Sequence, residues 1–354
     1  MTAIAPITTT PAALRRHRAL DDPIDRVRMP GLTRNSLRVV LGIIWLIDGA
    51  LQLQSFMFTP GFARDIVAPS ASGQPFFVAG PVEWNAHLIA THPALFNGMF
   101  ASVQLALGLG FLVARSVRVA IVASILWAGG VWYLGEGLGG LAGGHVTALL
   151  GAPGAAALYV VLALAAWPGP RRDPSSPDAR GPTGPPGWLL GAWAFLWTGF
   201  AVLSLLPSNG SARSISGQLA GNASMVPSWL ASIDRGLASA VRWSGVGAVV
   251  VTAGIELAIG LLVLRGGPAR TVALWTGAAL AILYWGVGQS FGQLLSGQAT
   301  DPNSGPLVVV LALAVAGACR APGRPGVRAR FRVDLTPPVA PPGSRRTGVP
   351  VSHR

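Results

Sequence analysis

Long apolar runs separated by short polar breaks dominate this chain. The runs lie at about 37–55, 95–114, 119–134, 149–167, 188–206, 244–264, 271–288 and 304–319. Most approach the ~20 residues that an α-helix needs to cross a bilayer core. They lack the polar face of a soluble amphipathic helix. The pattern predicts an all-α polytopic membrane protein with eight transmembrane helices. Residues 56–94 read as a long loop broken by five prolines, in which Glu83-Trp-Asn-Ala-His87 is expected to form a short interfacial helix. Residues 207–243 read as a second long loop, with Trp229, Ile233 and Leu237 at helical spacing.

The polar segments divide the chain. Residues 1–36 and 320–354, rich in Arg and Pro, are expected to be disordered tails. Residues 168–187 read as a Pro/Gly/Arg-rich linker. Two four-helix membrane units remain, 37–167 and 188–319. Their polar and glycine positions recur in order. Gln104, Gly108 and Arg118 match Glu256, Gly260 and Arg270 at an offset of 152, and Gly135-Glu136 matches Gly288-Gln289 at 153. Asp48-Gly49 matches Thr198-Gly199 at 150. Four spans return the chain to the side it started from, so the units are expected to be tandem parallel repeats sharing one orientation.

Charge then sets the direction. Only 11% of residues are charged, yet the formal net charge is +13, and every basic side chain is Arg. All but Arg64, Arg213, Arg235 and Arg242 fall in the tails, the linker and the short turns around Arg115–Arg118 and Arg265–Arg270. That distribution is a positive-inside signal. It puts both termini in the cytoplasm and the protein in the cell membrane, with lipid as its surroundings. It lacks the clustered basic face of a nucleic-acid binder. No apolar stretch within the first thirty residues resembles a signal peptide. The single cysteine, Cys319, excludes a self-contained thiol–disulfide enzyme.

Few groups inside the runs could carry chemistry. Glu256 lies nine residues before Arg265, roughly 13 Å from the cytoplasmic edge at ~1.5 Å per residue. A carboxyl at that depth is costly and faces the bundle interior. It reads either as a proton-accepting or ligand-anchoring group or as a hydrogen-bond strut, and Gln104 in the matching position favours the strut. Asp48 and Gln52 share a helix face four residues apart. With Glu136 they could line an outward polar pocket. Each unit thus keeps one carboxyl and one amide: Glu256 is matched by Gln104, and Glu136 by Gln289. These six residues form the candidate intramembrane polar site, with no residue assigned a catalytic role. Gly286-Val-Gly288-Gln-Ser-Phe-Gly292 mimics a nucleotide-binding loop, but no strand precedes it. Gly135-x3-Gly139 and Gly288-x3-Gly292 read as close-packing sites. No His lies inside a span, so haem is not expected, and His87 and His92 lack metal-ligand spacing. Trp45, Trp132, Tyr133, Tyr284 and Trp285 read as packing or interfacial belts, or as a wall for a quinone.

A four-span unit with an early Arg-x3-Gly (Arg38, Gly42), then Glu256-Leu-Ala-Ile-Gly260 and Arg270, resembles the DoxX family of small membrane proteins. Two copies would cover 37–167 and 188–319, the first departing from the pattern at Gln104. The resemblance implies four-helix bundles associated with quinone- or thiol-linked redox systems, hence a quinone ligand or an oxidoreductase partner. A structural membrane protein without a site, or a carrier of protons or a small solute, is the alternative left open by the residues themselves.

Overall fold

A computed structural model of the protein describes residues 28–169, 184–223, 226–294 and 296–320. Most of the expected tails and linker therefore lies outside the described residues. The described residues are helical and contain no strand. The first half contains α1 (Arg34–Leu51), α2 (Phe76–Thr91), α3 (Pro93–Leu112), α4 (Val117–Leu134) and α5 (Ala155–Ala165). The second contains α6 (Leu189–Leu205), α7 (Ala212–Asn222), α8 (Ser228–Ser244), α9 (Val246–Arg265), α10 (Gly267–Val287) and α11 (Ser304–Arg320). By length and composition, α3, α4, α9 and α10 can each cross a membrane. The remaining apolar helices α5, α6 and α11 are shorter, and α1 carries Arg34, Arg38 and Asp48. Large apolar side chains such as Val119, Leu126, Phe195 and Val202 point outward, as lipid-facing surfaces require.

Small residues set the main helix crossings. At α1 and α3, a Cβ on Gly108 would lie 2.6 Å from Leu46 Cγ and 2.9 Å from the Gly42 carbonyl oxygen. At α6 and α9, a Cβ on Gly260 would lie 2.8 Å from Thr198 Oγ1 and 3.1 Å from the Ala194 carbonyl oxygen. Backbone approaches this close need glycine at the contact. Thr198 therefore stands where Leu46 does. Counted from these contacts, Asp48-Gly49 falls level with Phe200-Ala201, at an offset of 152, rather than with Thr198-Gly199 at 150. Trp45 and Trp197, both buried, then occupy corresponding places.

The helix ends cluster by side. Arg34 donates to the carbonyls of Trp167 (2.7 Å) and Gly184 (2.8 Å), and Arg320 donates to that of Met29. The start of α1, the end of α5, the approach to α6 and the end of α11 thus share one face. Residues 28–33, expected as part of a tail, pack there instead: Met29 is buried, and the Leu32 amide donates to the Leu313 carbonyl at 2.9 Å. Thr33 caps α1, accepting from the Ser36 amide at 3.0 Å.

Several boundaries differ from expectation. The first run ends at Leu51, because Gln54 and Asn97 satisfy the last carbonyls: Gln54 Nε2 donates to Leu51 O at 2.7 Å, and Asn97 Nδ2 to Gln52 O at 2.7 Å. The run expected at 149–167 is a regular helix only over Ala155–Ala165. Gly151 and Gly154 take left-handed φ of 99° and 97°, and Pro153 between them has no N–H to continue a helix. The loop at 56–94 holds short helical turns and the sixteen-residue α2, longer than the expected Glu83–His87 helix. The loop at 207–243 holds α7 and α8. Trp229, Ile233 and Leu237 do lie on one helix, and all three are exposed.

The glycine contacts give the first prediction. Gly108→Leu should destabilise the protein by about 1–3 kcal/mol, as overpacked sites do, while Gly98→Leu on the same helix, with open space around it, should leave the melting midpoint in detergent unchanged.

Candidate functional site

A cavity of about 820 Å³ opens at the end of the bundle opposite Arg34. Asp48 reaches it from α1, fourteen residues beyond Arg34, about 21 Å along the helix at ~1.5 Å per residue. Its Oδ2 accepts a 2.5 Å hydrogen bond from Tyr159 of α5, while Oδ1 has no partner. Gln52, one turn on, and Gln104 of α3 also line the cavity, and the Oε1 of each is unpartnered. All three side chains are buried, at 1%, 3% and 7% exposure. Gln74 Oε1, on the same cavity, is also unpartnered. Buried polar atoms normally find partners, so these orphan oxygens on one cavity call for an explanation.

Aromatic rings form the walls. Trp45 packs against Tyr159 with ring centroids 4.5 Å apart and planes tilted by 38°, and its indole N–H is held by Ser124 Oγ at 3.1 Å. Phe100 meets Trp127 edge-on at 5.6 Å, and the Trp127 indole nitrogen has no partner.

At the mouth, Glu136 follows the end of α4 and bridges to the start of α5. Its carboxylate oxygens accept from the Ala156 amide at 3.1 and 3.3 Å. The α5 N-terminus has no side-chain cap of its own, and an acceptor there is favoured. Gln289 does the same for α11: its Oε1 accepts from the Gly305 amide and the Ser304 hydroxyl, both at 3.2 Å. The carboxyl/amide interchange between the halves follows from this shared role, since either group supplies the oxygen. Nearby, Trp132 donates to the Pro153 carbonyl at 2.8 Å and Trp285 to that of Pro302 at 2.7 Å. Gly139 and Gly292 are left-handed at φ 61° and 63° and abut these same carbonyls. The two Gly-x3-Gly stretches thus serve loop packing at the helix ends.

Of the six residues singled out from sequence, Asp48, Gln52, Gln104, Glu136 and Gln289 all line this cavity. Glu256 does not. It is buried in the second half, where Ser204 and Tyr284 each donate to it at 2.9 Å. The Trp193, Trp197 and Phe200 rings fill that interior with centroids 5.6 and 5.3 Å apart. The gap beside Tyr284 holds only about 10 Å³. Phe200 and Ser204 stand where the first half has Asp48 and Gln52.

Asp65, Asp301, Tyr159 and Trp127 also line the cavity but were not selected from sequence. The first two lie in loops, where polar residues are ordinary, and the rings read as packing. Asp301 accepts from Thr300 Oγ1 at 2.8 Å and from the Asn303 amide at 2.6 Å. Burial raises its carboxyl above the usual range. Burial, then the nearby Asp301 charge, pushes Glu136 up to about 8. Among the described residues no group of three His, Cys, Asp or Glu side chains is placed to hold a metal ion.

The chain matches no family model, no curated protein and no solved structure.

Glu136 gives a pH prediction. Its folded-state pKa, about 8, lies above the ordinary 4.5, so the folded protein keeps a proton that the unfolded chain releases. Its contribution to stability is full below pH 4.5 and is lost as pH rises through 8. The melting midpoint should fall across that window. Glu136→Gln, which keeps an oxygen for the Ala156 amide, should flatten the slope; an unchanged slope in thermal melts would count against this assignment.

Proposed function

We propose that this is an eight-span membrane protein, built of two tandem four-helix units, whose first unit binds a small molecule in the cavity beside Asp48. The carrying observation is the set of orphan oxygens on Asp48, Gln52 and Gln104 facing that cavity. Volumes of ~300–1,000 Å³ with a few polar groups among aromatic walls suit small-molecule sites. A bound ligand would supply the missing hydrogen-bond partners.

The eight-span reading is supported by the matching crossings at Gly108 and Gly260 and the matching caps at Glu136 and Gln289. Seventeen-residue helices such as α6 and α11 extend about 26 Å, near the ~30 Å core. With Arg concentrated at the Arg34 face, the cavity opens to the outside. The second unit, its carboxyl satisfied and its interior filled, acts as the structural partner of the first. A quinone, which the DoxX resemblance implies, is the second candidate occupant of the same cavity.

Native mass spectrometry of protein extracted from its own membrane should reveal a noncovalent adduct that a Gln104→Leu variant loses. Identical, adduct-free spectra for both proteins would sink the binding reading. Topology has its own check. In a Cys319→Ala background, a cysteine at Ser72 should react with impermeant maleimide on intact cells and one at Ser116 should not; the reverse pattern would invert the orientation.

A further inference from the structure

The chain carries 26 basic residues against 13 acidic ones. Around the cavity that balance is reversed. Asp48, Asp65, Glu136 and Asp301 line it, and among the described lining residues there is no Arg. The nearest cationic candidate is His145. Glu136 and Asp301 also accept from backbone amides at the starts of α5 and α11, whereas Asp48 accepts from the Tyr159 hydroxyl. Asp65 is exposed at the rim, Asp301 and Glu136 are half-buried, and Asp48 is fully buried, so the carboxyls form a path leading inward.

The floor of that path has further character. Asp48 Oδ1 lacks a partner because Tyr159 occupies only Oδ2. The unpartnered oxygens of Gln52 and Gln104 add acceptors beside it. Trp45 and Tyr159 place two rings there, with centroids 4.5 Å apart and planes tilted by 38°. Ring faces attract ammonium groups, and carboxylates do so more strongly when desolvated. A bare metal ion would need several converging ligands, and no such cluster exists among the described residues. A quinone could take the Trp127 indole N–H but, carrying only acceptors, would give Asp48 Oδ1 no donor, whereas an ammonium group supplies one.

We propose that the ligand is an organic cation, with a polyamine as the best charge match, one ammonium group seated between Asp48 Oδ1 and the Trp45–Tyr159 pair and the remainder extending toward Glu136 and Asp301. The inference rests on the small-molecule reading above and names the ligand class of that site.

The full chain in lipid nanodiscs is titrated with spermidine, following heat or tryptophan fluorescence. Saturable binding is expected. Asp48→Asn and Asp301→Asn, both confirmed as folded by their melts, should each weaken it about tenfold or more, the scale of one lost charged contact. Glu256→Gln, outside the cavity, should leave it unchanged. Triethylene glycol, a neutral chain of similar length, should not compete. Absence of saturable spermidine binding, equal competition by the neutral chain or by Mg²⁺, or affinity unaltered in both cavity variants would each overturn the proposal. Decylubiquinone separates the two readings. If it saturates where spermidine does not, the cavity still binds small molecules and only the cation inference fails. If neither binds and no adduct is found, both fail.

Discussion

Where α1 and α3 cross, Gly42 and Gly108 bring backbone against backbone, and this contact sets the position of Asp48 and Gln104. With the two helices held so close, residues one or two turns toward the far end have little freedom to turn away. Gly49 continues the contact, lying against Leu105. Asp48 and Gln104 flank that seam and face the interior. The Tyr159 hydroxyl and the Trp45 ring then complete a polar floor that the helix crossing has already placed.

The second half fills the corresponding place with side chains. Glu256 corresponds to Gln104, and Phe200 and Ser204 to Asp48 and Gln52. Phe200 adds a ring to the Trp193–Trp197 stack, and Ser204 donates to Glu256. Tyr284 supplies the second hydrogen bond from α10, whereas Tyr159 reaches Asp48 from α5. Each half therefore contains a carboxyl–tyrosine pair, built from different positions. In one the carboxyl has a partner for each oxygen and the space is full. In the other an oxygen is left over and the space is open. Leaving a buried polar atom unsatisfied costs roughly 1–3 kcal/mol. Around Asp48 the unpartnered oxygens border open space, where an occupant can supply their donors, whereas Glu256 has a donor on each oxygen.

Much of this was legible in the sequence for one physical reason: a polar side chain inside an apolar run is rare enough to stand out. Asp48, Gln52 and Gln104 were visible on that ground, and Glu136 and Gln289 as a matched pair at the ends of runs. Their convergence on one cavity was not visible, since it depends on how α1, α3 and α5 pack. The same test favoured Glu256, both of whose oxygens have donors, because rarity does not distinguish a strut from a site. Asp65 and Asp301 escaped notice because carboxyls are common in loops. The Asp48 pairing slipped by two residues because apolar sequence aligns to apolar sequence at almost any offset; only the Gly260–Thr198 contact fixes it. The short α5 was missed because Gly151, Pro153 and Gly154 interrupt a stretch whose hydropathy continues unbroken.

The separation of charge along the molecule links the fold to the site. Arg34 and Arg320 tie helix ends together at one face, where they hydrogen-bond to backbone carbonyls. The cavity at the other end has no Arg among its described lining residues. Carboxyls gathered at that end raise one another's proton affinity, as Asp301 does for Glu136. A cation entering between them would relieve that repulsion and replace the protons the cavity otherwise holds. The arrangement that makes the empty cavity electrostatically unfavourable is therefore the one that makes it selective for positive charge.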